Sequence, residues 1–350
     1  MPMYCLIWLP HMQCTSYSRI TYYVVCTSVR LFPRHARCTA LVRAVRRVVE
    51  RLTLSRRIPS AALRRPNETS LNLNGLCGGA AAHELFLADS SLGREVVREF
   101  DVRAARLDAR DAYTAPAGEF VNDVAYSAES DSLFVATWSA DKSEVNVRSL
   151  ARTNGQWSVC HCIQLTAEVY RKILLHVLRD GTLLCSQINT GSVHLCRVHS
   201  DRSLQNCTRV AFPVNHLGFD AQLVGNERRI AAALQDGSVS LFRVDAVPVY
   251  ALVPLSRVDL SGARIPLFFG ESLLVGVATD NDVREAVSFS MTGGRLQRDR
   301  QLIPHDDRPA IFRLFSRDDR LLDIYRWRFV EGTLIVCDYN SKELLLFNAA

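Results

Sequence analysis

Short apolar runs separated by polar turns recur along most of this chain, about every 47 residues. In each unit, an apolar run is followed by a turn and then by a second apolar run. The residues that open the second runs are Val96, Val145, Val193, Val239, Ala286 and Leu344, and they stand 49, 48, 46, 47 and 58 positions apart. A strand-rich repeat of this length is typical of propeller blades. The long last interval predicts an inserted loop near residues 306–320.

The turns between the runs indicate antiparallel hairpins. A glycine in DGS at 236–238 and in TGS at 190–192 is predicted to supply the positive φ of a tight turn. Asparagine and aspartate serve the same purpose in YNS at 339–341 and DND at 280–282. Runs such as 230–234 are apolar on both faces, which favours strands that neighbouring sheets cover on both sides.

The intervals between the hairpins leave room for two more strands in each unit. Innermost strands are predicted at 121–126, 172–177, 216–223 and 264–269, and outer strands at 157–165, 207–212, 252–260 and 296–303. We therefore predict an all-β fold over residues 69–350, a β-propeller of about six, and at most seven, four-stranded blades. The last unit has three strands, so the alternating segment SLNLN at 70–74 is predicted to close the ring. An incomplete ring or a truncated chain is the alternative.

Positive charge is concentrated in residues 1–68, which lack the repeat. This segment has 12 arginines, no lysine and only two acids, Glu50 and Glu68, which gives a net charge of +10. The whole chain carries +6, so residues 69–350 carry −4. The basic composition therefore gives no reason to expect nucleic-acid binding by the propeller. No apolar stretch approaches the ~18 residues that a transmembrane helix needs.

Residues 1–68 are predicted to form a basic, disordered extension in which 39–56 could be a short amphipathic helix. Five apolar residues follow the helical period along one face of that stretch, and arginines take the other face. Three interpretations remain open. The segment could be a mitochondrial targeting sequence, or a basic helix that binds a membrane surface or a partner. The third interpretation is that it is an unstructured extension, or translated sequence that is not a natural part of the protein.

The eleven cysteines give no clear disulfide or metal pattern. Cys185, Cys196 and Cys337 lie in apolar runs, where a thiol is expected to act as a small buried hydrophobic group. In the triplet 160–162 (CHC), a strand would put the two thiols on one face and the histidine on the other, so no metal site is predicted. This placement of the cysteines favours a reducing, cytoplasmic location for the protein. Two sequons, at 67–69 and 206–208, leave a secreted or lumenal protein as an alternative.

Common catalytic motifs are absent from the sequence. There is no GxxxxGK[ST], GxGxxG, HExxH or GxSxG, and no cofactor is predicted. The starts of the predicted innermost strands are instead basic, with Arg171, Lys172, His216 and Arg264. These residues are predicted to converge on one mouth of the central channel and to bind an acidic peptide or a phosphorylated partner. The alternative is that they are scattered, solvated charges on the rim.

The hairpins carry a resemblance to WD-repeat-like and YVTN-type β-propellers. It rests on LFVATWSADKSEVNV at 133–147, LLCSQINTGSVHLC at 183–196, IAAALQDGSVSLFRV at 230–244 and LIVCDYNSKELLLF at 334–347. The Gly-His and Trp-Asp pairs of WD repeats do not occur in these blades. The resemblance implies a rigid interaction platform.

The sequence therefore favours a non-catalytic scaffold that binds a protein or peptide, as a monomer within a complex, or a ligand-binding propeller. A hydrolase-like or lactonase-like propeller enzyme with a site at the channel mouth is one alternative. A secreted or lumenal ligand-binding propeller is the other.

Overall fold

A computed structural model gives the architecture. It describes residues 52–64, 68, 71–81, 83–91, 94–103, 109–167, 172–245, 250–269, 272–279, 282–298, 311–313, 324–330, 333–338 and 342–349. The described chain forms six antiparallel sheets. The innermost strand of each sheet contacts the innermost strands of two other sheets, so the six sheets are the blades of one closed ring.

The strands follow the blades in chain order. Before blade one come β1 (Leu52–Ile58) and the short helix α1 (Ser60–Leu63). Blade one contains β2 (Leu73–Gly78), β3 (Glu84–Ser91), β4 (Arg94–Asp101) and β5 (Arg110–Thr114). Blade two contains β6 (Phe120–Ser127), β7 (Ser132–Trp138), β8 (Glu144–Thr153) and β9 (Gln156–Thr166). Blade three contains β10 (Ile173–Val177), β11 (Thr182–Gln187), β12 (Ser192–Val198) and β13 (Leu204–Ala211).

The second half of the ring repeats this plan. Blade four contains β14 (His216–Val224), β15 (Glu227–Leu234), β16 (Ser238–Asp245) and β17 (Ala251–Asp259). Blade five contains β18 (Ala263–Phe269), β19 (Ser272–Thr279), β20 (Asp282–Thr292), β21 (Arg295–Arg298) and β22 (Ile311–Arg313). Blade six contains β23 (Ile324–Val330), β24 (Thr333–Asp338) and β25 (Glu343–Ala349), and β1 pairs with β25 as its fourth strand.

The six-bladed propeller predicted from the repeat is confirmed. Each of the six residues used to count the repeat lies in the third strand of a different blade: Val96, Val145, Val193, Val239, Ala286 and Leu344. The interval before Leu344 is longer because β22 pairs with β20 as an additional strand of blade five. The rest of the predicted loop, 306–310 and 314–320, lies outside the described residues.

Burial of the strands follows their position within the blade. All seven residues of β7 are buried, because this second strand is covered by the blades on either side. The outer strand β9 is exposed at most of its positions. Apolar clusters fill the spaces between blades, as where Phe134 and Trp138 of blade two pack with Leu175 and Leu183 of blade three. Packing between blades is therefore the source of the hydrophobic core.

The strand that closes the ring is β1, and the prediction that 70–74 supplies it is wrong. In the antiparallel pairing with β25, Leu52 lies opposite Ala349 and Ile58 lies opposite Leu344. Leu73 instead begins the innermost strand of blade one. Residues 52–56, at the end of the predicted helix, are strand, and residues 39–51 lie outside the described part of the chain. The compact unit starts at Arg51, inside the segment assigned to the extension.

The two glycine turns differ. Gly237 has φ +80°, as predicted, whereas Gly191 is outside the positive-φ region and Asn189 takes the left-handed conformation with φ 65°. Asparagine tolerates that conformation because its short polar side chain can bond locally. The predicted turns at 280–281 and 339–341 lie outside the described residues.

We expect Gly237→Val to lower the free energy of unfolding by roughly 1–2 kcal/mol, because a branched residue is strained at positive φ. A Cβ at position 237 would meet open space, so the cost comes from the backbone alone. Gly191→Ala should change stability by less than about 0.5 kcal/mol. Chemical denaturation of both variants measures the difference, and equal effects would contradict this assignment of the turns.

Candidate functional site at the central channel

The predicted basic mouth is not an exposed cluster of charges in the described structure. Lys172 immediately precedes β10 and is partly buried, with its Nζ shielded from solvent. Arg264 is partly buried in β18 and donates a 3.0 Å hydrogen bond to the carbonyl of Ala263. His216 opens β14 and is fully buried. Arg171 lies outside the described residues. Binding at these positions remains a prediction.

His216 is a core residue and does not supply positive charge to the mouth. Its Nε2 lies 2.7 Å from Ser186 Oγ, and its ring meets the Phe219 ring edge-on at 5.6 Å between centroids. Burial lowers the pKa of His216 to about 4, so the imidazole is neutral near pH 7. The sequence interpretation failed because a histidine at the start of a strand gives no local signal of its burial.

The pKa of His216 predicts acid destabilisation. Unfolded His216 takes up a proton near pH 6.5, whereas the folded residue stays neutral down to a pKa of about 4. The free energy of unfolding should therefore fall as the pH falls through this window, by up to about 3 kcal/mol from this residue. His216→Gln keeps a donor for Ser186 and removes the titration. Urea unfolding at several pH values should show a flatter dependence for the variant, and an identical slope would contradict the prediction.

A cavity of about 560 Å³ opens at the other end of the channel, where the innermost strands finish. All six innermost strands contribute to its lining, which combines apolar side chains, a thiol and a few polar groups. The lining residues used below are Cys77, Ala125, His176, Val177, Asp220, Leu267, Phe268 and Arg328. A concave site with an apolar lining and a few convergent polar groups has the general character of a ligand pocket.

The polar centre of this cavity is formed by one histidine, one aspartate and one arginine. His176 Nδ1 lies 2.9 Å from Asp220 Oδ1, and both side chains are more than nine-tenths buried. Arg328 Nη2 donates to the carbonyl of Leu175, the residue before His176, at 3.2 Å. Burial and then the charge of Arg328 lower the pKa of His176. Burial alone would raise the pKa of Asp220, but His176 and Arg328 lower it below its usual value.

Inner-strand carboxylates and amides also tie adjacent blades together. Asp123 Oδ2 accepts a 2.8 Å hydrogen bond from the backbone N–H of Leu175 in the next blade. Asp220 Oδ2 accepts one of 2.7 Å from the backbone N–H of Phe268. Asn122 Oδ1 accepts one of 2.7 Å from the N–H of Ile173. These contacts cross from blade two to three and from four to five, so the acids that face the channel have a structural role.

The channel thiol is protonated at neutral pH. Burial raises the pKa of Cys77 well above its usual value, against the opposing effect of Arg328. Because the thiolate is the nucleophilic form of cysteine, this environment is a poor one for nucleophilic catalysis. Within the described ranges, no three His, Cys, Asp or Glu side chains are grouped so that they could hold a metal ion.

One cysteine expectation is corrected. Cys196 is buried, but it forms a disulfide with Cys207 across β12 and β13 instead of remaining a free thiol. Cys185 and Cys337 are buried free thiols, as predicted, and burial raises the pKa of Cys185 to about 12. The pairing of Cys196 could not be read from the sequence because it depends on an irregularity in the register between β12 and β13.

Comparisons with known proteins give the fold. No model of a protein family matches the chain, so none supports the YVTN part of the predicted resemblance, and no curated protein matches it either. The Cps50 (Swd1) β-propeller domain of Myceliophteria thermophila matches with a TM-score of 0.50 at 10% identity, over 86% of this chain and 100% of that chain. A protein from Lactobacillus plantarum matches with a TM-score of 0.54 at 13% identity, over 79% of this chain and 80% of that chain. A chain of the mitotic checkpoint complex matches with a TM-score of 0.51 at 8% identity, over 95% of this chain and 99% of that chain.

At these identities the likeness shows only the fold, which is that of a β-propeller. The residues at the centre of the cavity were missed by the sequence analysis. A signal existed, because His176, Asp220 and Arg328 interrupt innermost strands that are otherwise largely apolar. Among the described residues, no helix has the length and apolar character needed to cross a membrane.

Proposed function

We propose that this propeller is a non-catalytic module that binds a protein or peptide partner. The observation that carries the proposal is the use of channel-facing acids as blade-to-blade hydrogen-bond acceptors, as Asp123 and Asp220 show. A carboxylate held in this way stiffens the ring and is less available for acid–base or metal chemistry. A rigid ring with variable loops is suited to recognition. The likeness to a chain of the mitotic checkpoint complex agrees with such a role.

The partner is proposed to be acidic and to bind at the face where the innermost strands begin. Arg264 is the described member of the predicted set that is both charged and partly accessible. A solvent-accessible charge at an interface acts mainly on the association rate, and salt screens it. Arg264 supports this proposal that the partner binds at the face opposite the cavity.

The test uses the tagged full chain. Proteins that co-purify with it should be produced separately, and direct binding to the purified chain should be measured. We expect Arg264→Glu to weaken binding of the true partner at least about threefold at low salt, with a smaller loss at high salt. Arg298→Glu is the matched control, because Arg298 is exposed on the outer strand β21 of the same blade.

Two results would contradict this proposal. If no co-purifying protein binds the purified chain directly, a scaffold role fails. If the two charge reversals weaken binding equally while both variants keep the wild-type melting temperature, the assigned face is wrong. Hydrolase or lactonase turnover by the purified chain that Asp220→Asn abolishes would favour the propeller enzyme instead.

A second candidate is a secreted or lumenal ligand-binding propeller. The Cys196–Cys207 disulfide favours it, because disulfides persist in oxidising compartments. The sequon at 206–208 lies on the outer strand β13, and Cys207 within it is exposed. Intact mass and glycosidase treatment of the protein from its native cells test this candidate. A free thiol pair and an unmodified Asn206 would exclude it.

A further inference from the structure

The side chain of Arg328, which lines the channel cavity, uses only part of its hydrogen-bonding capacity. Arg328 Nη2 bonds to the carbonyl of Leu175, and the described residues provide no partner for its Nε or Nη1. A guanidinium has five N–H donors in a planar fork that fits a carboxylate. An occupant of the cavity that offers a carboxylate would satisfy these donors.

The same cavity contains an acceptor that is buried and unused. His176 donates from Nδ1 to Asp220 at 2.9 Å, and its ring is tilted against Phe219 at 4.9 Å between centroids. These contacts fix the ring. In the neutral imidazole, the opposite nitrogen, Nε2, carries a lone pair. Nε2 is buried and has no hydrogen-bond partner among the described residues. A buried polar atom of this kind costs free energy unless a ligand or water bonds to it.

The charges around these two groups select the kind of ligand. Asp123 and Asp220 are buried acids beside His176, and Arg328 is the cation that acts on the same ring. A simple anion would satisfy Arg328 but would be repelled by the two carboxylates. A simple cation would be attracted by the two carboxylates but repelled by Arg328. A ligand that carries a carboxylate and an ammonium close together would satisfy both sides.

The rest of the cavity is apolar. Ala125, Val177, Leu267 and Phe268 line it, and its volume of about 560 Å³ is in the range of small-molecule sites. An apolar side chain of moderate size would therefore be buried favourably beside the polar centre.

We propose that the channel binds a free α-amino acid with an apolar side chain, as the zwitterion. Arg328 binds the carboxylate, and His176 Nε2 accepts a hydrogen bond from the ammonium. The ammonium also faces the negative charge of Asp123 and Asp220, and the side chain contacts the apolar lining. This site lies at the opposite end of the channel from the proposed protein-binding face, so either function can hold without the other.

Three probes of one size test the wild-type full chain by calorimetry and by ligand-observed NMR. They are L-phenylalanine, 3-phenylpropionate, which lacks the ammonium, and phenethylamine, which lacks the carboxylate. We expect L-phenylalanine to bind with a Kd below about 10 mM and each truncated probe to bind at least about fivefold more weakly. The proposal is wrong if L-phenylalanine does not bind in this range, or if it binds no more tightly than 3-phenylpropionate.

Two variants separate the two polar contacts. Arg328→Met should weaken the binding of L-phenylalanine at least about tenfold. It should strengthen the binding of phenethylamine, because the positive charge that repels the ammonium is gone. His176→Asn places an amide N–H where Nδ1 was, so it can still donate to Asp220, but it lacks the Nε2 acceptor. This variant should weaken the binding of L-phenylalanine about fivefold and leave the affinity for 3-phenylpropionate unchanged.

Arg197→Met is the matched control, because it removes the same charge from an exposed position on β12 that does not line the cavity. It should bind all three probes as the wild type does. Melting temperatures establish that each variant is folded. If a variant does not fold, the comparison of the three probes on the wild type decides the proposal by itself. Wild-type affinity for L-phenylalanine in folded Arg328→Met and His176→Asn would overturn it.

Discussion

Removing residues 1–59 should destabilise the propeller strongly, whereas removing residues 1–50 should leave its melting temperature almost unchanged. The longer deletion takes away β1, which pairs with β25 at six of its seven residues and closes blade six. It also removes the buried side chain of Ile58 and the 2.8 Å ion pair between Arg57 and Glu343. We expect a loss of more than about 3 kcal/mol, from apolar burial and the broken strand pairing.

Loss of β1 should also cause association. The strand β25 would become an exposed edge, and its residues Leu344, Leu345 and Leu346 are buried in the intact protein. Unprotected apolar edges pair with other chains. Differential scanning calorimetry and light scattering measure both effects, and Ile58→Ala tests the strand without a deletion, with an expected loss of about 2–4 kcal/mol. Equal melting temperatures for the two deletions would show that β1 does not close the ring.

Arg98→Met should lower the free energy of unfolding by roughly 3–5 kcal/mol. The Arg98 side chain is 1% exposed, and its Nη2 lies 2.7 Å from Asp89 Oδ2, a carboxylate that is fully buried. Its Nη1 donates to Glu68 at 2.7 Å and to the carbonyl of Leu63 at 3.4 Å. The substitution would leave Asp89 without its counter-ion in the core, which is the costly way to break a buried ion pair.

Arg94→Met is a closely matched control. Arg94 contacts the same Glu68 at 2.5 Å, but its side chain is 42% exposed. Exposed ion pairs contribute less than about 1 kcal/mol, so this variant should remain close to the wild type. Urea denaturation of the two variants measures the contrast. A similar, small loss for both would mean that the contacts of Arg98 with Leu63, Glu68 and Asp89 contribute little to stability.

Much of the fold followed from local pattern. Hairpins with polar turns predicted strands at nearly the right bounds, as in 216–223 for β14 and 252–260 for β17. The candidate binding site could not be predicted from the local sequence pattern in the same way. Lys172, His216 and Arg264 were placed together because each begins an innermost strand, but an innermost strand faces both the channel and the packed interior. Which side chains face the channel depends on bulges, such as the register shift between His216 and Gly218.

The cavity residues show the same limit. Arg328, His176 and Asp220 come from blades six, three and four, and they meet because the ring brings the innermost strands together. No pattern in the sequence relates positions 176 and 328. The hydrogen bond from Arg328 to the carbonyl of Leu175, next to His176, exists because the ring is closed, and closure itself depends on β1.

The repeat in the sequence predicted about six blades, the order of their strands and the apolar faces that pack between them, because a period of about 47 residues is a local property that recurs along the chain. The folded structure was needed to show which segment closes the ring, because LTLSRRI at 52–58 alternates no better than SLNLN at 70–74 and the choice rests on pairing with a strand almost 300 positions away. It also decided that His216 is neutral in the core and that Arg328 lies beside His176, since burial and charge at those atoms come from neighbours that the ring supplies.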